Sequence, residues 1–434
     1  MNQKALIAIA LVAILLVAGV GAVVLTQNND SNNSDNSDEN GTDEVLIDFM
    51  GQEVIPVDNL DNGIVAVGQD SFRWVTYFGL ADKCVMVDQN DMSNFMGKSF
   101  MYNGRAQVNI DNAATSTPEG EARTNFTHTN CGITADDVHK IIELNPSLMV
   151  VPVDTYKDFS NEVKSLEKAG INTVAIGNIY TFLKEGTFEM TDDLVKQIDI
   201  LAAATGMDDR AKELKAAFTD CVNDVRSYAS KVTEKRTAYV GGVAYNGAHD
   251  VSSSVAYYMP FELANVTNII GGAGDYAGSG VKEYSAQAIK ENMKDDTVLF
   301  LDASGYKSNT TQTSTGILKM FSGKDAFLIM PYIWTGMNFD SVFVDALQVL
   351  RCAYGDAVIT EEQMFEEIDK VYERFYGTSD SNRNVDNPNK KPLPLPEEGT
   401  SIFEDINAMY LVAKQNPVYG EVIISDDGSL SIKP

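Results

Sequence analysis

The sequence has few of the residues that build most catalytic and metal centres. It holds three histidines and four cysteines in 434 residues, and the cysteines lack metal-like spacing. A multi-histidine enzyme centre is therefore hard to assemble, and four cysteines in so long a chain do not make a disulfide scaffold. We expect Cys84, Cys221 and Cys352 to pack in the interior, and Cys131 to be exposed.

Common catalytic and nucleotide-binding motifs are also missing. We find no G-x-S-x-G elbow, P-loop, H-E-x-x-H pair or G-x-G-x-x-G after a strand. The segment Gly271–Gly280 is glycine-rich, but it does not open a helix with Lys-[Ser/Thr], so we expect a loop there. These absences argue against an enzyme.

Basic residues are scarce as well. The chain has 33 Lys and Arg against 62 Asp and Glu, a formal net charge of −29. So many acidic residues give the surface a negative potential, in which a basic patch is hard to form. This argues against nucleic acid as a partner. The acidic balance is typical of a soluble extracellular surface.

The first residues predict where the chain is placed. Ala5–Leu25 is an uncharged apolar run, long enough to span a bilayer. Lys4 precedes it and the next basic residue is Arg73, which places the remainder outside the cell. We expect residues 1–26 to anchor the chain at the extracellular face of the membrane; a cleaved signal peptide and a secreted product are the alternative. Residues 27–44 are acidic and of low complexity, which predicts a disordered linker.

The chain contains one structural pattern twice. Ala135–Tyr156 and Ser285–Tyr306 each read as a short helix, a break, a buried strand and a polar loop. The runs Leu148–Val153 and Val298–Leu301 are continuously apolar, as in parallel strands covered on both faces. We therefore predict an α/β fold with two Rossmann-like lobes and parallel central sheets. Ligands bind such sheets beyond the carboxyl ends of the strands, so we expect the site in a cleft between the lobes.

The same reading gives the boundaries. We predict an N-terminal lobe at 45–189, a single long interlobe helix at 190–206 and a C-terminal lobe at 207–434. A lone connecting helix resists wide hinge motion, so we expect only modest closure around a ligand. Further expected elements are strands at 63–67, 84–87, 173–176, 237–243 and 327–330, helices at 159–169, 208–232, 339–353 and 361–376, and a hairpin at 421–433.

Several segments carry a family resemblance. An Arg precedes a helix that ends in Leu-Gly; a helix leads through a Pro-containing turn into a strand; and a late Tyr-x-x-x-Asn loop opens a helix. In this order they resemble substrate-binding proteins of ABC importers, of the class with a rigid interlobe helix that carries iron–siderophore complexes, haem and cobalamin. Ser147 stands where the family usually has Asp, and the segment 242–261 resembles a subgroup found in methanogenic archaea and other anaerobes. The segments are Ser71–Asp91, Gly132–Pro152, Leu166–Ile176, Ile198–Phe218, Gly242–Phe261 and Met330–Ala353.

The resemblance implies a transport role. The chain is then a monomeric receptor without a cofactor that captures an iron(III) complex or a corrinoid and delivers it to a permease and ATPase complex. A molybdate or tungstate receptor of the same fold is the alternative, because relatives of the late loop also occur in oxyanion receptors. A nitrogenase-like bilobal enzyme, or a surface protein with no transport role, is a third hypothesis; an enzyme needs cysteine ligands or a catalytic base in the cleft.

Candidate ligand-binding residues follow from the expected cleft loops. Aromatic walls suit a large metal complex, and Arg pairs with carboxylates or oxyanions; His and Tyr also ligate metals, and the metal ligands are left open. The structural alternatives are a core position for Trp74, a salt bridge for Arg73 and solvated loops for His128 and His249, while only one of Tyr257 and Tyr258 is expected to face the cleft. The candidates are Arg73, Trp74, Tyr102, Arg105 and His128 in the first lobe, and Tyr245, His249, Tyr258, Trp334 and Asn338 in the second.

The resemblance also implies docking surfaces. Proteins of this class dock on the permease through an acidic residue on a surface helix of each lobe. His139 and Gln287 occupy those positions here. The candidates on the same helices are Asp136, Asp137, Glu283 and Glu291.

Overall fold

The first sheet is built from short apolar strands. The computed structural model describes residues 45–68, 70–88, 127–129, 132–245, 247–271, 280–331, 333, 336–376 and 401–433. Its strands run parallel in the order β3-β2-β1-β4-β5. Every residue of β1, β2 and β4 is buried, which explains why these segments lack polar alternation. The strands are β1 (Ile64–Ala66), β2 (Cys84–Asp88), β3 (Thr127–Thr129), β4 (Leu148–Pro152) and β5 (Thr173–Ile176).

The remaining strands form a second, mixed sheet and a small ribbon. They are β6 (Thr237–Gly241), β7 (Ser253–Val255), β8 (Thr267–Asn268), β9 (Val281–Glu283), β10 (Val298–Asp302), β11 (Ala326–Ile329), β12 (Gly420–Ile424) and β13 (Leu430–Ile432). The sheet order is β13-β12-β11-β10-β6-β8, with β7 and β9 paired separately. The four strands β8, β6, β10 and β11 are parallel, whereas β12 runs antiparallel to β11 and pairs with β13. The expected C-terminal hairpin is thus confirmed.

Twelve α-helices connect and cover these strands in the described part of the chain. They are α1 (Ser71–Tyr77), α2 (Ala135–Leu144), α3 (Val153–Asp158), α4 (Ser160–Lys168), α5 (Asp192–Thr205), α6 (Asp208–Ala229), α7 (Met259–Leu263), α8 (Ala286–Asn292), α9 (Gln312–Lys319), α10 (Phe339–Tyr354), α11 (Glu361–Tyr376) and α12 (Ile402–Lys414). The repeated pattern of the sequence is real: α2 leads to β4 and α8 leads to β10. The α/β fold with parallel-stranded sheets is therefore confirmed.

The chain passes from the first sheet to the second through two consecutive helices. All strands of the first sheet precede residue 177, and those of the second begin at Thr237. Between them lie α5, which ends at Gly206 in a left-handed conformation with φ 72°, and the 22-residue α6. Glycine accepts this φ without a Cβ clash, which explains the helix end.

Some expectations fall outside the described residues. These are the anchor at 1–26, the linker at 27–44, Tyr102, Arg105, Cys131 and Trp334. In the part that the structure describes, no helix combines the length and the apolar character that crossing a membrane requires. Cys84 and Cys221 are buried, and Cys352 is half-buried.

Candidate functional site

Three neighbouring strands of the first sheet place polar side chains at one edge. The strands β1, β4 and β5 are adjacent and parallel, so their carboxyl ends meet at that edge. Asp70 follows β1, Asp154 follows β4 in the first turn of α3, and Tyr180 follows β5. Asp154 is exposed and Tyr180 is half-buried. We call these three residues the first-lobe edge.

Asp70 is held in a conformation that few side chains adopt. It precedes α1 with a left-handed φ of 76°, a region that costs energy for a residue with a side chain, although Asp and Asn adopt it more readily than most. Its carboxylate pairs with Arg73 and packs against Gly336. A Cβ atom at Gly336 would collide with that carboxylate, so a larger residue there would have to displace the Asp70 side chain.

Arg73 joins the first lobe to the loop after β11. Its side chain is buried. The Nη1 atom donates to the Asp70 carboxylate and to the Met337 carbonyl, and Nη2 donates to Asn338 Oδ1 at 2.8 Å. Asn338 in turn donates from Nδ2 to the Pro331 carbonyl at 2.8 Å. The guanidinium is thus engaged by protein groups from both lobes.

The next turns of α1 extend the same contact. Tyr77 donates its hydroxyl to Asp340 in the first turn of α10 at 2.6 Å. Burial, followed by the Asp340 charge, raises the pKa of Tyr77 well above its ordinary value. Trp74 packs edge-on against Tyr77 and Phe339, with ring centroids 5.6 and 5.0 Å apart. We call this contact of α1 with residues 337–340 the seam.

Tyr180 shows that groups from both sheets come near one another. Burial raises its pKa above its ordinary value, and the charges of Asp70, Tyr245 and Asp154 raise it further, while Arg73 lowers it. Tyr245 follows β6 of the second sheet. Residues that follow strands of both sheets therefore contribute to the electrostatics of Tyr180.

The second lobe supplies a loop after β6. Tyr245 is 37% exposed, and its carbonyl lies 2.8 Å from Nε2 of the half-buried His249. A Cβ atom at Gly305, after β10, would collide with the carbonyls of Gly242 and His249. Close backbone packing thus supports the loop that carries Tyr245.

The predicted ligand-binding residues lie in three environments. Arg73, Trp74 and Asn338 meet in the seam, and Tyr245 and His249 share the loop after β6. Tyr258 is 1% exposed and donates its hydroxyl to Asp345 Oδ2 at 2.7 Å, inside the second lobe. Ligand contact by these residues stays a prediction.

One position differs from the expectation of a loop. The backbone of His128 lies in β3, opposite Val87, and not in a loop. A parallel pairing with β2 accounts for this, because Thr127 and Thr129 are β-branched and favour a strand.

Sequence reasoning missed Asp70, Asp154 and Tyr180. The signal that would have found them is simple: each is a polar or phenolic residue within a few positions of the end of an apolar strand. Among the described residues, no group of three or more His, Cys, Asp or Glu side chains is placed to hold a metal ion.

The predicted docking residues differ in exposure. Asp136 is exposed in the first turn of α2, whereas Asp137 is 5% exposed and closes a capping box with Thr134. Glu291 lies on α8 and accepts from Gln287 at 3.0 Å. The prediction that Glu283 shares this helix is wrong. Glu283 is the last residue of β9. The helix begins at Ala286, because the Ser285 side chain caps its N-terminus.

Neither a protein-family model nor a curated protein matches the chain. Among solved structures, the molybdate periplasmic binding protein MolA of a Haemophilus influenzae ABC transporter gives a TM-score of 0.50 at 15% identity, covering 78% of this chain and 99% of that one. This chain has the fold of a periplasmic binding protein.

Two further structures are similar to this periplasmic-binding-protein fold. The TroA-like periplasmic binding protein FepB from Veillonella parvula gives a TM-score of 0.48 at 16% identity, over 77% of this chain and 97% of that one. The periplasmic heme-binding protein RhuT from Roseiflexus sp. gives 0.42 at 16% identity, over 68% and 98%. At such identities the likeness is one of fold.

Proposed function

We propose that this chain is an extracytoplasmic substrate-binding protein of an ABC importer that captures an iron(III) complex or a corrinoid. The observation that carries the proposal is that segments following strands of both sheets meet in the seam, where Arg73, after β1, bonds to the Met337 carbonyl and to Asn338, after β11. Asp154 and Tyr180 follow neighbouring strands of the first sheet, and Tyr245 follows a strand of the second. Open α/β sheets bind ligands in the crevice beyond the carboxyl ends of their strands.

The groups near Tyr180 suit a sizeable complex. Tyr180 and Tyr245 offer aromatic faces with a polar end, and a few polar groups among such faces fix a ligand's orientation. His249 lies beside Tyr245 in the same loop. Ligand contact by the remaining candidates, including those outside the described residues, belongs to this proposal.

The seam bears on how the ligand is enclosed. Arg73 bonds to the loop after β11 and Tyr77 bonds to Asp340 of α10, which ties the first lobe to the second beside the site. With lobes at 45–189 and 207–434 and a single interlobe helix at 190–206, these ties favour a modest closure over a wide hinge motion.

Placement and partners complete the proposal. Residues 1–26 anchor the chain to the extracellular face of the membrane, or are cleaved to release it, and 27–44 form the tether. The monomeric, ligand-loaded protein docks on a permease through exposed acidic residues, of which Asp136 on α2 and Glu291 on α8 are the candidates left on helices.

A molybdate or tungstate receptor is the second candidate. The observation in its favour is the fold likeness to MolA, whose structure is described as bound to molybdate. A tetrahedral oxyanion needs a small site with several N–H donors or a cation. The two candidates therefore differ in the size and the charge of the ligand.

Calorimetric titration of the full chain in mild detergent tests the proposal. The probes are ferric hydroxamate complexes, ferric haem, cyanocobalamin, molybdate and tungstate. We expect saturable one-to-one binding of a metal chelate or corrinoid, weakened at least about ten-fold by Tyr180→Ala, since a buried aromatic anchor carries much of a binding energy. Tyr228→Ala is the matched control, because Tyr228 is a half-buried tyrosine on α6.

The other outcomes separate the hypotheses. Binding of molybdate or tungstate alone would favour the second candidate. No heat from any probe, with the protein folded by circular dichroism, would contradict a receptor role and favour the enzyme or the surface protein.

A further inference from the structure

Of the two arginines that the sequence offers for binding an anion, Arg73 lies among the described residues, and its side chain is used inside the protein. Arg73 is buried, and its two terminal nitrogens contact Asp70, the Met337 carbonyl and Asn338. The carboxylate of Asp70 offsets its charge directly. A guanidinium held in this way has little of its field or its hydrogen-bonding capacity left for a ligand.

The edge next to Arg73 is acidic. Asp154 is exposed in the first turn of α3, at the end of the strand adjacent to β1. The Asp70 side chain is 11% exposed and lies at the neighbouring strand end. The chain has a net charge of −29, and its negative electrostatic potential adds to that of these two carboxylates.

We propose that the site selects a ligand without net negative charge, namely a neutral or cationic metal chelate or corrinoid, and that Asp154 is a residue that sets this selectivity. An anionic chelate or an oxyanion at this edge meets carboxylates, and the nearby guanidinium is already paired. Like charges brought together in a partly desolvated site repel, and this repulsion discriminates between ligands of one size. The inference rests on the proposed function and names the charge class of its ligand.

Ferric chelates of different charge test the inference. The ferric complex of desferrioxamine B is cationic, ferrichrome and cyanocobalamin are neutral, and a ferric tris-catecholate and molybdate are anionic. We expect the full chain to bind one or more of the cationic and neutral probes at low ionic strength, and to bind no anionic probe measurably. Binding confined to anionic probes would overturn the inference and leave the receptor role intact. If the protein binds none of the probes, the proposed function is overturned, and the inference with it.

Charge reversal at Asp154 tests the residue itself. We expect Asp154→Lys to weaken the cationic complex by about ten-fold, to leave neutral probes unchanged and to raise affinity for the anionic ones. The matched control is Asp193→Lys, since Asp193 is likewise an exposed aspartate in the first turn of a helix, α5. The difference between the two variants should shrink at about 0.5 M salt, because the charges are then screened. Equal effects of the two reversals would overturn the assignment of Asp154.

Discussion

The two copies of the repeated helix–strand unit end differently. After β4, Asp154 opens α3 and is exposed to solvent. Asp302, the last residue of β10, is 1% exposed and accepts hydrogen bonds from the backbone N–H and the hydroxyl of Ser304. The same pattern of sequence thus gives an open acidic edge in the first lobe and an internally bonded turn in the second. At β10 the carboxylate is used to build its own loop, whereas the Asp154 carboxylate after β4 is open to solvent.

Two other carboxyl groups of the second lobe are also hydrogen-bonded inside the protein. Asp340 and Asp345 of α10 are both 0% exposed, and each accepts a tyrosine hydroxyl, from Tyr77 and Tyr258 respectively. Buried carboxyls of this kind fix the packing of helices because any loss of a partner leaves a buried polar atom unsatisfied. We infer that the second lobe acts mainly as the scaffold and the first-lobe edge mainly as the selective surface.

We expect the removal of Arg73, which joins the two lobes, to cause the largest loss of unfolding free energy. Arg73→Ala removes the bonds that the guanidinium makes to Asp70, Met337 and Asn338, and breaking a buried pair costs about 3–5 kcal/mol. We expect urea unfolding to show a loss of this size, with Arg73→Lys intermediate because lysine lacks the planar fork. The double variant with Asp70→Ala should recover part of the loss; strictly additive losses would show that the two side chains do not interact.

The two strand ends themselves give the second prediction. Asp302→Ala leaves the Ser304 donors unsatisfied in the interior and should cost about 1–3 kcal/mol of unfolding free energy. Asp154→Ala should change stability by no more than about 0.5 kcal/mol, because it is a surface substitution. Urea midpoints of the two variants, measured side by side, check this. Equal losses would remove the distinction between scaffold and selective surface.

Most of the elements could be predicted because their signals are local. The strand Thr173–Ile176 and the helix Glu361–Tyr376 have the predicted bounds, since a β-branched run and a 3.6-residue apolar period need no distant partner. The helix expected at 208–232 ends earlier, at Ala229, because the end of a helix is weakly marked in a sequence.

The site could be predicted only in part, because its contacts are distant in sequence. Arg73 and Asn338 were both candidates, yet their direct bond joins residues 265 positions apart, and no local pattern reveals it. Tyr258 was chosen over Tyr257 without a periodic signal, and its hydroxyl proves to lie inside the second lobe. Asp154 lies outside the predicted set because a search for aromatic and basic residues does not include the polar position after a strand.

The third prediction concerns the pH dependence of the scaffold. Burial raises the pKa of Asp345 well above its ordinary value; Asp302 and Asp340 raise it further, while the Tyr258 hydroxyl opposes the shift. The folded state therefore holds a proton that the unfolded chain releases at about pH 4. The stability this group provides is complete below that pH and is lost as the pH rises, by at most about 1.4 kcal/mol per pH unit.

Asp345→Asn replaces the carboxyl group by an amide that does not titrate, so its contribution to the pH dependence of stability is lost. We expect the unfolding free energy of the variant, relative to the unsubstituted protein, to increase between pH 4.5 and pH 8. Urea unfolding at both pH values measures it, with Asp154→Asn as an exposed control whose relative stability should stay constant. A difference for Asp345→Asn that stays constant or falls with pH would show that this carboxyl ionises normally in the folded protein.

The last prediction compares the helix starts of the two repeats. The Thr134 side chain accepts from the Asp137 N–H and Asp137 returns a bond to the Thr134 N–H, a complete capping box, whereas Ser285 accepts a single bond from the Ala288 N–H. Replacing a capping residue by Ala costs about 0.5–2 kcal/mol. We expect the loss of unfolding free energy to be near the upper end of this range for Thr134→Ala and near the lower end for Ser285→Ala. The Thr134 substitution disrupts a reciprocal pair of bonds, whereas the Ser285 substitution removes a single bond. Thermal unfolding of both variants compares them, and a larger loss at Ser285 would show that the second-lobe helix depends more on its cap than on its packing.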